Sequence, residues 1–384
     1  MVAHRRIYRK KSVWLSESAT TKLSDYITGN TTLHAHSRDA AQQAYFRACK
    51  TIRQLRKHGK IDARYPYKRK FYRASVWKNT GIRMRDGVML LARARGLASV
   101  RVALPTWLLN AQIVEVRLVY NHKARHYDWH VVCDEGHITP EPSGNNVIAV
   151  DMGEIHPAAA CDTEQAVVFS ARELRATVQW RNKKLAELAA LQSKCQRNSR
   201  RWKKLQRVKN QVKGKAKRKV RDINHKVSRA VVDFAVEREA GTIVVGDVRD
   251  VADGVNRGKS NQKLSQWAHG QQRQFITYKA ARVGMATKSQ EESSTTKTCP
   301  CCGERNACHG RVYRCHKCGW IGSRDGQVGA PNILSKFLFG ELARVQVPHV
   351  KYRHPFQTGK RSSSGHLASC LRRRESVCQE AAGF

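Results

Sequence analysis

Apolar residues recur along this chain with periods that change from segment to segment. Residues 6–15 alternate between basic and apolar (Arg6-Ile7-Tyr8-Arg9, then Val13-Trp14-Leu15), the pattern of a strand. Residues 37–58 place Ala40, Ala44, Phe46, Ile52 and Leu55 at helical spacing, with Ser37 as a candidate N-cap. Short apolar runs at 88–92, 99–104, 113–120 and 129–134 predict strands. The first 145 residues therefore read as a β-rich domain with a helical insert at about 30–62. A turn-rich stretch at 141–146 marks a boundary. Beyond it, Val147-Ile148-Ala149-Val150-Asp151 is a buried strand ending in a lone carboxylate, and 166–170 is a further strand. Residues 181–221 form a long helical region with a thin seam of Leu185, Leu188, Leu191, Trp202, Leu205 and Val208. A separate helix is expected from His225 to about Glu239, a strand at 242–248, a helix at 270–282, a strand at 283–292 and a short helix over 330–339. Residues 339–384 are basic, Ser-rich and unpatterned, the composition of a disordered tail. No internal repeat is present.

Charge changes the picture. The 384 residues carry 72 Lys and Arg against 30 Asp and Glu, a net charge of +42. Chemistry on small metabolites does not require that imbalance; a polyanionic partner does, and nucleic acid is the default. Residues 181–221 hold seventeen Lys and Arg and one acid, Glu187. Charge of one sign at that density repels itself unless a polyanion neutralises it, so Arg200, Arg201, Lys203, Lys204 and Arg207 are candidate phosphate contacts. Residues 65–79 interleave aromatics with cations: Tyr65, Tyr67, Lys68, Lys70, Phe71, Tyr72 and Trp77. That mixture suits phosphate pairing with base stacking; an aromatic core face is the alternative. No run reaches the ~18–20 apolar residues of a membrane span, and the N-terminus lacks a signal-peptide core, so no membrane role is expected.

The clearest single motif is C-x-x-C at Cys299 and Cys302 with a second at Cys315 and Cys318. Each pair supplies two thiolates from one tight turn, and four make a tetrahedral structural zinc site. Gly303 and Gly319 follow the second cysteine of each pair, where the knuckle needs positive φ. Cys301, Cys308, His309 and His316 fall outside the symmetric spacing and read as bystanders. Acidic residues flank the ribbon, Glu291 and Glu292 before it and Asp325 after it.

Taken in order, YPYKRKFYRASVWKNTGIRM, VIAVDMGE, INHKVSRAVVDFA, TIVVGDVRDV, GKSNQKLSQWAHG, EESSTTKTCPCCG and YRCHKCGWIGSRDGQVGAPNIL resemble the TnpB family of transposon-encoded RNA-guided nucleases, relatives of the type V CRISPR effectors. The set spans residues 65–335. The resemblance implies an α/β plus β-rich architecture: a wedge β-barrel with a helical recognition insert over 1–145, then an RNase H-like (RuvC) nuclease domain over 146–298, completed by 323–338. The zinc ribbon would be an insertion at 299–322 and the basic tail would follow at 339–384. It also implies an RNA-guided DNA endonuclease, prokaryotic and cytoplasmic, nucleoid-associated when engaged, and monomeric on one guide RNA from the element's end. Its target would be double-stranded DNA with a short flanking motif.

The catalytic set follows from the same resemblance. RuvC chemistry uses three carboxylates holding two Mg²⁺ ions about 3.5–4 Å apart. Asp151 matches the first motif and Asp325 the third. The second-motif glutamate is replaced by Gly246, followed by Asp247. A neighbouring strand lies only about 4.8 Å away, and a TnpB subgroup with a rearranged site carries Glu-Glu-Ser before the ribbon. The expected ligands are Asp151, Glu292 and Asp325, with Glu291 and Asp247 in reserve; Asp247 would need a one-residue bulge. Ser294, Ser323 and Pro331 depart from the family's usual residues, and none is a ligand. The missing second-motif glutamate also motivates a nuclease-inactive, RNA-guided DNA binder. A zinc-ribbon DNA-binding protein without guide RNA is the third reading.

Overall fold

The computed structural model describes residues 2–28, 32–66, 72, 74–121, 126–134, 136, 139–142, 144–249, 259–307 and 310–355. Its contacts divide the chain into two compact units, Met1–Ile138 and Thr139–Phe384.

In the first unit, residues 6–15 do not form the expected strand. Val2–Lys11 is a helix, α1. His4 and Tyr8, one helical turn apart, both pack on Trp14, with ring centroids 4.6 and 5.3 Å away. His4 is fully buried, with its ring nitrogens 3.1 Å from the Tyr45 hydroxyl and 3.2 Å from the Leu15 carbonyl. Helices α2 (Glu17–Thr28) and α3 (Ala35–Lys57) follow. His34, not Ser37, caps α3, accepting from His36 N. Ser37 is buried and donates to the Val76 carbonyl at 2.6 Å. The buried face of α3 is Ser37, Ala40, Tyr45 and Cys49; Ala44, expected on it, is exposed.

Six strands complete this unit: β1 (Ser75–Lys78), β2 (Ile82–Arg85), β3 (Val88–Leu91), β4 (Val100–Ala103), β5 (Gln112–Asn121) and β6 (His126–Asp134). They pair as two antiparallel sheets, β1-β5-β6 and β2-β3-β4. Asp86 and Gly87, both at positive φ, make the two-residue turn between β2 and β3. Trp77, Met89, Leu91 and Val116 form the common core. Among the described residues no ladder closes the two sheets into a barrel. Trp77 is 4% exposed and donates from Nε1 to the Ala92 carbonyl, so it is a core residue and not the nucleic-acid contact expected of it.

The second unit is built on β7 (Asn146–Asp151), β8 (Ala158–Cys161) and β9 (Gln165–Phe169), an antiparallel meander. Strand β8 was not expected. It is an alanine run with no β-branched residue, and it forms because its four small side chains are buried between two neighbours. The single basic helix expected over 181–221 is two helices, α4 (Arg172–Ser193) and α5 (Arg200–Glu237). Asn198, at φ 67°, reverses the chain, and Ser199 caps α5 by accepting from Trp202 N. Helix α5 then continues without a break through the segment expected to begin anew at His225.

After α5 come β10 (Ala240–Asp247), α6 (Lys259–Ser265), α7 (His269–Ala281) and β11 (Ala286–Glu291). The ribbon hairpin β12 (Val312–Arg314) and β13 (Ile321–Ser323) leads through a single π-turn, Arg324–Gly329, into α8 (Ala330–Phe339). Strand β14 (His349–Arg353) corrects the reading of 339–384 as a disordered tail: it pairs in parallel with β9 along its whole length. Val345 and Val347, just before it, are buried. Residues 356–384 lie outside the described residues.

The sheet order is β11-β10-β7-β8-β9-β14. Strand β11 lies beside β10, in the place expected for the segment at 283–292, and β10 lies beside β7, all three parallel. Alternation along the strands decides what faces what. Ile148, Val150, Ile243 and Val245 pack with Val227, Val231 and Ile276 of α5 and α7. Ala149 and Val244 pack with Ala330, Ile333 and Leu334 of α8. By the same period, Asp151 and Gly246 fall on the α8 face and Asp247 on the α7 face.

Helices α5 and α7 are joined by His225, which stacks on Phe275 at 3.8 Å, and by buried Lys279, which donates to the His225 carbonyl. Burial, then the charges of Lys279 and Arg221, lower the His225 imidazole to about 4. A histidine depressed in the folded state favours folding fully above its unfolded value, about 6.5, and loses that contribution as pH falls towards 4. The melting temperature of His225→Phe should therefore fall less than the parent's between about pH 7 and about pH 5. Equal falls would show that this imidazole stays uncoupled from folding.

Candidate active site

Three parallel strands, β7, β10 and β11, end at one edge of the sheet, and acidic residues collect there. Asp151 ends β7. Gly246 and Asp247 end β10, opposite Gln290 and Glu291 of β11. Glu292 is the first residue beyond β11, and its carboxylate lies over Gly246: a Cβ on residue 246 would overlap Glu292 Oε1. Gly329, at the end of the π-turn, makes room in the same way for the Asp151 carboxylate. Asp325 sits in the first turn of that π-turn. Pro331 falls within the first turn of α8, where a missing N–H is tolerated. Ser323 caps the π-turn, its Oγ accepting from Gly326 N at 3.3 Å.

The two reserve carboxylates are held elsewhere. Glu291 accepts from Lys336 Nζ at 2.7 Å and from Ser293 Oγ at 3.0 Å, and its side chain is 64% exposed. Asp247 is clasped by Arg249 at 2.9 and 3.0 Å and faces Arg273 of α7 at 3.7 Å. The β10–β11 register runs without a shift through Asp247, so the bulge that would turn this carboxylate to the α8 face is not there. The Arg249 hydrogen bonds hold Asp247 down at about 2.

The carboxylates facing α8 are unlike one another. Burial, then the charge of Asp325, pushes Asp151 up to about 7. Burial, then the charge of Asp151, pushes Glu292 up to about 8, and Glu292 Oε1 is buried without a hydrogen-bond partner. Burial also acts on Asp325, yet a hydrogen bond from His156 and the charges of Arg311 and Arg324 outweigh it and keep that group below the usual carboxylate range. His156 Nδ1 donates to Asp325 Oδ2 at 2.8 Å, and Arg311 reaches both oxygens at 3.1 and 2.8 Å. Sequence reasoning missed His156 and Arg311, because neither is tied to Asp325 by spacing along the chain. The oxygens of the three acids do not all lie within 4.8 Å of one another; among the described residues only the four ribbon cysteines form so close a group. Two donor-poor, partly buried acids beside an ionised third are a fit for a hard divalent cation such as Mg²⁺, which prefers carboxylate oxygen.

Cys299, Cys302, Cys315 and Cys318 bring their Sγ atoms within 4.8 Å. The pairs Cys302–Cys315 and Cys299–Cys318 stand at 3.5 and 3.7 Å. The edge of a tetrahedron with bonds of about 2.3 Å is about 3.8 Å, so the group could hold zinc. Backbone N–H groups of Cys318 and Lys317 pull the Cys315 thiol down to about 6, preparing a thiolate. Gly303 and Gly319 take φ of 72° and 71°, the left-handed turns the knuckles need. Cys301 is exposed and outside the group; Cys308 and His309 lie outside the described residues.

Of the basic and aromatic positions, Arg200, Arg201, Lys203, Lys204 and Arg207 are all exposed on α5. Tyr65 is half-buried under Arg56, and Tyr72 is exposed and stacked on Tyr120 at 3.9 Å. Tyr67, Lys68 and Lys70 lie outside the described residues. Exposed Tyr127 and Trp129 on β6 were not singled out from the sequence.

Residues 130–252 match a family model described as a probable transposase, and residues 269–333 match the TNB domain of Cas12f1-like proteins. A TnpB-like protein of Methanocaldococcus jannaschii is 30% identical over 125 residues, 32% of this chain and 45% of that protein. These matches support a place among TnpB-like proteins. The CRISPR-associated endodeoxyribonuclease Cas12f1 of Sulfoacidibacillus thermotolerans is 27% identical over 117 residues, 29% of this chain and 26% of that one. The matched segments span less than half the length of these curated relatives. The fold is that of a Cas12f1 solved by cryo-EM in complex with sgRNA and target DNA: TM-score 0.54 at 13% identity, over 83% of this chain and 76% of that one.

The purified chain should carry about one zinc. Cys315→Ser should release the metal and lower the melting temperature, whereas Cys301→Ser should change neither. Metal analysis and thermal melts of the three proteins check this; loss of metal from Cys301→Ser would reassign the ligand set.

Proposed function

We propose that this chain is an RNA-guided DNA endonuclease of transposon origin, with Asp151, Glu292 and Asp325 as its metal-binding carboxylates. The observation that carries the reading is the Glu292 carboxylate lying in the space above Gly246. The strand that lacks the family's usual glutamate offers the vacated volume to the glutamate just beyond its neighbour, so that acid joins those from β7 and the π-turn on the α8 face. The RuvC-like domain would then comprise 146–298 and 323–338, with the ribbon inserted at 299–322. The curated relative named as an endodeoxyribonuclease and the structural neighbour bound to sgRNA and target DNA support the same reading.

The chain's own residues prepare the site in three ways. Burial of Asp151 and Glu292 weakens solvent screening of their charge. Donors on two sides keep Asp325 ionised. The exposed cations of α5 would neutralise phosphates of guide RNA and heteroduplex, while base pairing reads the target and the protein reads a short flanking motif. Magnesium held by the three acids would supply Lewis-acid stabilisation of charge developing at the scissile phosphodiester.

Plasmid cleavage by the purified RNA complex in Mg²⁺ tests the assignment. Asp151→Ala and Glu292→Ala should each lower cleavage more than about a hundred-fold. Asp247→Ala and Glu291→Ala, whose carboxylates are held by Arg249 and Lys336 away from Gly246, should stay within about five-fold of the parent. Intact target binding with no cleavage by any protein, parent included, would leave an RNA-guided DNA binder in place of an enzyme.

A further inference from the structure

The turn between β7 and β8 is fixed from several sides. Gly153 is required because a Cβ there would lie 2.7 Å from the His156 carbonyl oxygen. Gln272 of α7, 1% exposed, donates from Nε2 to the Pro157 carbonyl at 2.7 Å. Glu154 pairs with Arg175 of α4 at 3.5 Å. The turn therefore presents His156 from a rigid frame, 12% exposed, with Nδ1 on Asp325 Oδ2. Its ring meets Tyr352 of β14 edge-on at 6.3 Å, and the Tyr352 hydroxyl donates to Ser323 Oγ, the cap of the π-turn.

Asp325 thus has partners of two kinds. Arg311 and Arg324 each bring a full positive charge, which opposes a divalent cation at the same carboxylate. An imidazole can donate from Nδ1 without carrying charge. It fixes the rotamer of the carboxylate, while Arg311 takes the other lone pair of Oδ2 at 2.8 Å and is the partner that a cation would displace. Asp325 also stands on a π-turn, where the backbone hydrogen-bond ladder constrains a residue less than in an α-helix. A side-chain tether from the rigid β7–β8 turn offsets that freedom, and it links the third acid to the strand that carries the first.

We infer that His156 is a positioning residue for divalent-cation binding at Asp325: its Nδ1–H holds the carboxylate in the orientation that the cation takes up. The inference rests on the proposed metal-binding role of the acids, and its test separates the two. The probe is Mn²⁺ alone, titrated into the full chain and followed by the loss of the free-ion paramagnetic signal. His156→Ala should weaken binding at the acidic site by about ten-fold, the usual effect of removing a partner of a metal ligand. His156→Asn, whose amide reproduces the Nδ1 donor, should recover most of that loss. Asp325→Ala marks the signal that belongs to this site. In cleavage by the RNA complex, His156→Ala should raise the Mg²⁺ requirement with little change in the rate at saturating Mg²⁺.

Unchanged Mn²⁺ affinity in His156→Ala, or equal weakening in the Ala and Asn variants, would overturn the inference. A loss of rate at saturating Mg²⁺ that His156→Asn fails to repair would also overturn it, placing the imidazole in the chemistry itself. A parent that binds Mn²⁺ with the expected pattern but cuts no DNA would leave the positioning role standing and remove the endonuclease reading.

Discussion

Two side chains cannot share one volume, and that exclusion at the end of β10 organises the candidate site. With no Cβ at Gly246, the Glu292 carboxylate settles over β10 from the end of the adjacent strand. The parallel register of β10 and β11 makes the reach short. Alternation sends Asp247 to the opposite face, where Arg249 and Arg273 hold it, and Lys336 draws Glu291 outward. The selection of one acid among three neighbours is thus a matter of steric space, strand period and ion pairing. Gly329 repeats the device on the other side of the site, where a Cβ would overlap the Asp151 carboxylate.

The cysteine cluster and the acids are joined through short covalent and polar links. Segment 292–299 carries the glutamate at one end and the first ribbon cysteine at the other. Buried Asn332 of α8 holds that segment by donating to the carbonyls of Thr295 and Thr298 at 2.8 and 2.9 Å. On the far side, β13 runs directly into the turn bearing Asp325, and Arg311 of the ribbon grips that carboxylate. The four-cysteine ribbon therefore steadies two of the three acids. The half-buried, donor-poor pair Asp151 and Glu292 and the well-partnered Asp325 form an asymmetric set, with the proton-binding tendency on one side and fixed negative charge on the other.

Much of this was legible in the sequence because the signals were local. The apolar run ending at Asp151, the two C-x-x-C knuckles with their glycines, and the helix at 330–339 each follow from neighbouring residues. That Glu292 reaches over the end of β10 was legible only because Gly246-Asp247 and Glu291-Glu292 occur together in a recognised order. What stayed hidden depends on contacts far apart in the chain. The alanines of β8 carry no strand preference and are ordered by their neighbours. The β14 segment looks like tail until β9 offers it an edge. Residues 6–15 alternate like a strand, yet with His4 and Tyr8 packed on Trp14 the segment 2–11 is a helix. The His156–Asp325 bond spans 169 residues, a separation that no local pattern reveals.

The central claim is that one carboxylate occupies the space that Gly246 leaves open. Its most direct measurement is Mg²⁺-dependent cleavage by the RNA complexes of Gly246→Glu, Glu292→Gly and the double variant carrying both changes. The account predicts that each single variant is folded but inactive, one through collision of two side chains and the other through loss of the acid, and that the double variant regains cleavage. A Gly246→Glu protein that cuts DNA as well as the parent would contradict it, because the two glutamates would then not be competing for one place.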